Sequence, residues 1–393
     1  MAAFWAARGP FGARSGWRVR WDPEAQGPKA AVKPSIRLAI SLLLTVVFLA
    51  LFLSSFDLGA AWRSLGTASP ALLLLSVGIS LMAYLLRAWR WRVLLSPLKR
   101  GVGLYNLTAT TFIGFMVSFL VPFRVGEVVR PVLLARRERI GASGALATIA
   151  LERLFDALTV TTLFLVCVLS SRGSALLAGA EGGPAPGQAA LFLRRGMIAT
   201  AGFVLVGWPL VVLLVAVPDK VVAVLHRLNP GSRAGAVGRA INLVETFAAG
   251  LAVVRRGKEL AMSLLLSLAT WLVIDLSVLC GVRAFGLALS LTDIFLLMVP
   301  LAVGIAVPTP GGVGPYEFLA QVSLADFFGV APGAAAAVAL TLHAIALVPT
   351  IAIGLLFMWK DGVRPSEVRG LASAGAPAPA GRAAARPAGG GAP

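Results

Sequence analysis

The chain has 393 residues, 58% of them hydrophobic and only 13% charged, with a mean hydropathy of +0.87. Soluble domains sit near half apolar and a quarter charged, so a soluble globular domain is excluded and an all-α polytopic membrane protein is indicated. The formal net charge of +18 does not point to nucleic acid, because Lys and Arg gather at the ends of apolar runs, where the positive-inside bias puts them.

Arg8, Arg14, Arg18, Arg20, Lys29, Lys33 and Arg37 precede the first apolar run. Residues 1–35 read as a basic cytoplasmic tail. The run that follows is longer than a signal-peptide core and has no small-residue cleavage site after it, so it is expected to remain as a span. Six runs approach the ~20 apolar residues that a crossing helix needs: 37–56, 71–86, 145–170, 197–217, 260–281 and 334–359. The second is short. The RAWRWR that follows it (Arg87, Trp89, Arg90, Trp91, Arg92) reads as an interfacial belt.

Two shorter runs, 107–123 and 294–307, break the alternation. Basic residues flank the first on both sides: Arg87, Arg90, Arg92, Lys99 and Arg100 before it, Arg124, Arg130, Arg136, Arg137 and Arg139 after it. If it crossed, one cluster would face outward, so it is expected to enter and return. By the same bookkeeping the second run is a re-entrant segment of opposite orientation, and both termini are cytoplasmic. Eight full spans would place the most basic middle loop outside. Within that loop Ile241, Val244, Ala248, Leu251 and Val254 follow helical spacing, as in a helix lying on the membrane surface.

Each short run ends in a related motif. VPFRVGEVVR holds Pro122, Gly126 and Glu127; VPTPGGVGPYE holds Pro308, Pro310, Gly311, Gly312, Gly314 and Glu317. Pro lacks an N–H and Gly breaks helices cheaply, and unwound backbone at membrane depth must be buried or line a wet cavity. Paired Gly/Pro-interrupted segments in two halves mark the binding region of inverted-repeat transporters, so these residues are candidate gating loops.

Glu152, Arg153 and Asp156 lie in the otherwise apolar run 145–170. A charge at the bilayer centre costs about 2.5–3.5 kcal/mol on insertion scales. At four apart Glu152 and Asp156 share a helix face, expected to form a pocket wall opposite Arg124, Glu127 and Arg130. Asp275, deep in TWLVIDLSVLC, has no charged sequence neighbour and needs a partner from another helix, water or a proton. Cys167 and Cys280 read as small buried hydrophobes, and His226 and His343 as solitary residues, so no metal or cofactor site is expected.

Together P-x-R-x-G-E-x-x-R (Pro122 to Arg130), E-R-x-x-D (Glu152 to Asp156) and P-x-P-G-G-x-G-x-x-E (Pro308 to Glu317) resemble the transmembrane region of lysylphosphatidylglycerol synthases and their stand-alone flippase-like relatives. The likeness spans about residues 36–360. In two-domain members of that family the membrane part moves aminoacylated phospholipid to the outer leaflet and a soluble domain performs aminoacyl transfer. The resemblance therefore implies a lipid translocator of the bacterial cytoplasmic membrane, without the aminoacyltransferase domain. Residues 361–393 read as a disordered Ala/Pro/Gly-rich tail. Membrane lipids are the expected partners. Arg124, Arg130 and Arg153 would meet a phosphate; Glu127, Glu152, Asp156 and Glu317 would hold the arginines or meet a cationic headgroup. Two rivals are an intramembrane transferase on a lipid-linked substrate and a non-transporting partner of a separate lipid-modifying enzyme.

Overall fold

The computed structural model describes residues 34–54, 57–170, 202, 205–209 and 257–374. The helices, numbered in chain order over those residues, are α1 (Pro34–Ser54), α2 (Leu58–Thr67), α3 (Pro70–Leu94), α4 (Leu104–Leu120), α5 (Gly126–Glu138), α6 (Ala142–Leu169), α7 (Gly257–Arg283), α8 (Leu291–Ala306), α9 (Pro315–Phe328), α10 (Pro332–Lys360) and α11 (Pro365–Ala374). Single turns of 3-10 helix at Pro122–Arg124 and Pro310–Gly312 follow α4 and α8. Among the described residues there is no strand.

Three helices, α3, α7 and α10, are long and apolar enough to cross a membrane, and α1 with α2 makes a fourth if that pair, bent by 82°, is one span. The protein is thus a membrane-embedded all-α protein. The count of six spans is not what these residues display. α6 is long at 28 residues, but its middle carries Glu152, Arg153 and Asp156. Of the run 197–217 only 202 and 205–209 are described, with the Trp208 indole donating to Thr162 Oγ1 at 3.1 Å. The amphipathic segment 241–254 lies outside the described residues. α3 and α10 expose Leu74, Leu75, Met82, Leu85, Val348, Leu355, Leu356 and Trp359. That much bare apolar surface suits hydrocarbon and not water.

α3 differs from its expectation. The short run does not stop at Leu86: the helix continues through RAWRWR for 25 residues, started by Ser69 as N-cap and Pro70 in the first turn. It packs along α7 through small polar residues. Ser76 Oγ donates to the Ser277 carbonyl at 2.7 Å and Ser277 Oγ to the Ser76 carbonyl at 2.8 Å. Such exchanges let two membrane helices approach closely.

The two short helices each turn back on the helix that follows. In the α4–α5 hairpin a Cβ on Gly126 would lie 1.8 Å from the Gly114 carbonyl oxygen, so only a bare backbone fits there. In the α8–α9 hairpin a Cβ on Gly304 would lie 2.7 Å from the Tyr316 Cα. The turns at their tips follow the same path at first. Pro122 leads Phe123 (φ 63°) and Arg124 (φ 52°); Pro310 leads Gly311 (φ 64°) and Gly312 (φ 79°). The paths then part: Val125 is already helical, whereas Val313 is extended and Gly314 has φ 92°. The tips meet, since a Cβ on Gly311 would lie 3.1 Å from the Phe119 carbonyl oxygen.

The stretch read as a disordered tail begins with structure. α11 is helical, and Leu371 is buried in a cluster with Ile113, Val129, Val132 and Leu133. An apolar residue every turn or so gives that helix a face to bury, which the Ala/Pro/Gly composition further on obscures.

Candidate functional site

Behind the first turn lies a buried cluster of charge. α6 supplies Glu152 and Asp156 on one face, at 0% and 4% exposure. The Arg130 guanidinium, from the second turn of α5, donates to both Glu152 oxygens at 2.9 and 3.3 Å. Arg90, from α3, bridges Asp156 and Glu152, the latter at 3.2 Å, and also donates to Ser267 Oγ of α7 at 2.7 Å. Arg153 reaches Glu152 at 2.8 Å and Asp156 at 3.3 Å. Arg124 and Glu127 pair at 2.9 Å nearer the surface, with Arg153 4.0 Å from Glu127.

Aromatic rings wall the cluster. The Arg130 guanidinium carbon sits 4.0 Å from the centre of the Trp91 ring, and the Trp271 indole donates to Asp156 Oδ1 at 3.1 Å. Arg87 lies 5.0 Å from the Phe115 ring and 5.8 Å from that of Trp271. A ring quadrupole attracts each cation without adding a carboxylate. Stripping one member from a buried ion pair costs about 3–5 kcal/mol because its partner is left charged and dry. The network therefore holds α3, α5, α6 and α7 in one register.

A pocket opens onto this network, lined by Gly114, Phe115, Ser118, Gly126, Glu127, Arg130, Ile149 and Arg153. The space open to water centres is about 10 Å³, roughly one water molecule. That space is smaller than a lipid headgroup. The strained element is the turn beside it. Phe123 and Arg124 occupy left-handed backbone without being glycine, at a cost of about 1–3 kcal/mol each, and such strain collects at ligand clamps and switch regions.

The model of the family described as lysylphosphatidylglycerol synthase TM region matches residues 37–354. This chain belongs to that family. A protein named glycosyltransferase AglD, from Haloferax volcanii, is 30% identical over 338 residues, covering 81% of this chain and 54% of that protein. The chain thus spans about half the length of this curated relative. No solved structure matches.

Of the residues singled out in the sequence, Arg124, Glu127, Arg130, Glu152, Arg153 and Asp156 come together in the one network. Glu317 makes its closest contacts elsewhere. One of its oxygens contacts His343 Nδ1 at 2.6 Å and the other accepts from the Gly314 N–H at 2.8 Å. His343 is therefore not solitary: its Nε2 also contacts the Gly311 carbonyl oxygen at 2.9 Å, and its ring stacks on Tyr316 at 4.4 Å. The pair ties the second turn, with Pro308, Pro310, Gly311, Gly312 and Gly314, to α10.

RAWRWR is where the belt expectation fails. Trp89 is 53% exposed and fits it, but Arg90 and Trp91 are fully buried and Arg87 nearly so. Arg87, Arg90 and Trp91 stand at i, i+3 and i+4, the inward face of α3 continued; that spacing was the available signal. Because Arg87, Arg90 and Arg130 are interior, they do not count as loop charges, and the charge argument for a returning first run loses those three residues. Asp275 is buried at 1% exposure, and neither carboxyl oxygen has a hydrogen-bond partner among the described residues.

Proposed function

We propose that this chain is a flippase-like lipid translocator that moves a lipid with a charged headgroup between leaflets. The observation that carries the reading is the meeting of two Pro-led turns, alike in backbone path, with a buried arginine–carboxylate network behind the first. In this reading α4–α5 and α8–α9 are re-entrant hairpins entering from opposite leaflets, related as an inverted repeat. Six spans and cytoplasmic termini complete the topology, and the bacterial cytoplasmic membrane is its place. Unwound backbone at membrane depth needs a protein or water-lined surrounding, which a headgroup path supplies. The closed pocket is then one state of an alternating cycle, and the strained first turn is the element that moves.

The experiment is leaflet exchange in proteoliposomes. Labelled anionic, zwitterionic and aminoacylated lipids are compared with empty vesicles. Acceleration of one lipid class is expected; no acceleration of any class would sink the translocator reading. The name of the Haloferax volcanii relative supports a second reading, an intramembrane transferase or a membrane partner of a lipid-modifying enzyme. Turnover of a lipid-linked donor by purified protein, without leaflet exchange, would favour it.

A further inference from the structure

The charges behind the first turn do not balance. Arg87, Arg90, Arg124, Arg130 and Arg153 face Glu127, Glu152 and Asp156: five guanidinium groups against three carboxylates, a surplus of two positive charges among the described residues. Arginine does not lose its proton in proteins, so the surplus stays. Each carboxylate already lies within 4.0 Å of two or more arginines. Glu152 is shared by Arg90, Arg130 and Arg153, Asp156 by Arg90 and Arg153, and Glu127 by Arg124 and Arg153.

The donors are not all taken. Arg87, 8% exposed, has aromatic rings beside it and makes no ion pair within 4 Å among the described residues; Asp156 acts on it only from further away. The Nε groups of Arg90, Arg130 and Arg153 are buried without a hydrogen-bond partner. Arg130 and Arg153 line the pocket. Buried positive charge without a counter-charge is expensive, and an anion that enters is the direct compensation.

We propose that this site receives a doubly charged phosphate monoester, not a cationic or zwitterionic headgroup. That the monoester belongs to a lipid rests on the translocator reading; the anion site itself does not. A monoester carries close to two negative charges at neutral pH and three acceptor oxygens, and guanidinium meets such oxygens with paired N–H donors. A diester, with a single charge, leaves one arginine uncompensated. A cationic aminoacyl headgroup would add to the surplus of positive charge.

The test uses the full chain in phosphatidylcholine nanodiscs. Binding of phosphatidic acid, phosphatidylglycerol, lysylphosphatidylglycerol and inorganic phosphate is followed by native mass spectrometry and tryptophan fluorescence, with leaflet exchange of the same lipids measured in parallel. Phosphatidic acid is expected to bind at least about tenfold more tightly than the other two lipids, one charge-assisted hydrogen bond or more. The preference should shrink as pH falls from about 8 to about 5.5, through the second phosphate ionisation near 6. Arg87→Gln should bring phosphatidic acid to the level of phosphatidylglycerol with at most a small drop in melting temperature, because Asp156 keeps its ion pairs with Arg90 and Arg153. If that variant does not fold, Arg124→Gln, at a half-exposed position, should give the same loss. Equal affinity for all three lipids, or preference for lysylphosphatidylglycerol, would overturn the anion site, and exchange of that lipid would leave the translocator standing. Phosphatidic acid binding with no lipid exchange would keep the anion site and remove the translocator. Inorganic phosphate competing as strongly as the lipid would mark the free ion as the ligand, with the same consequence.

Discussion

Phe123 and Gly311 share one backbone conformation, φ 63° and 64°, at the tips of two hairpins that touch. Glycine takes that conformation without penalty. For phenylalanine the left-handed region costs about 1–2 kcal/mol. The two turns thus begin alike, relaxed at the second hairpin and strained at the first, beside the buried charge.

Relieving that strain has a measurable sign. Phe123→Gly should leave thermal stability in detergent unchanged or raise it by up to about 1 kcal/mol, the strain released less the chain entropy glycine adds. Phe123→Val, β-branched, should lower it. Melting of the two variants beside the parent checks the order.

Arg90 joins Asp156 and Glu152 with no exposed atoms of its own. Arg90→Met is expected to cost about 3–5 kcal/mol. Adding Asp156→Asn should cost less than the sum of the two single changes, by about 0.5–3 kcal/mol, since the residues form one network. A double-mutant cycle in denaturant reads that coupling.

Much of this was legible before any coordinates. Helix and apolar run coincide at α6, α7, α8 and α10 because membrane helices are written in long apolar stretches. Glu152 and Asp156 declared their shared face by spacing alone. Arg90 did not, because a basic-aromatic string next to an apolar run has two readings, surface belt or buried face, and only the carboxylates of a helix 62 residues on decide between them. His343 was hidden for the same reason: its partner Glu317 sits on another helix. Sequence periodicity sees one helix at a time, and ion pairs between helices need the packing.

The contact between α4 and α5 tolerates nothing larger than hydrogen at Gly126. Gly126→Ala should cost about 1–3 kcal/mol or more by forcing the hairpin apart. Gly141→Ala is the control: it meets nothing within 4 Å, and at a helix N-cap alanine costs only a few tenths of a kcal/mol, or up to roughly 1, relative to glycine. Expression and melting of the two variants would show whether the close approach matters.

A pH effect is expected at the end of α5, outside the spanning helices. Burial pushes the Glu138 carboxyl up, but hydrogen bonds from Asn106, Lys99 and the Gly103 N–H, with the Lys99 charge, hold it below its ordinary value. The ion pair with Lys99 is 2.6 Å long. A depressed carboxyl contributes stability that is complete above its unfolded value and lost as pH falls through the folded one. Melting temperature should therefore drop on acidification below the ordinary glutamate range, and Glu138→Gln should flatten that part of the curve while lowering stability at neutral pH.

The most direct test is leaflet exchange by Arg124→Ala beside the parent protein in matched proteoliposomes, with melting temperature recorded for both. Arg124 stands in the strained turn with its side chain 34% exposed, so its loss should spare the fold. If the turn and the charge behind it handle the headgroup, exchange should fall at least about tenfold, the worth of one charge-assisted hydrogen bond, with melting unchanged. Equal exchange rates for variant and parent, with both folded, would contradict the assignment of this cluster as the headgroup site.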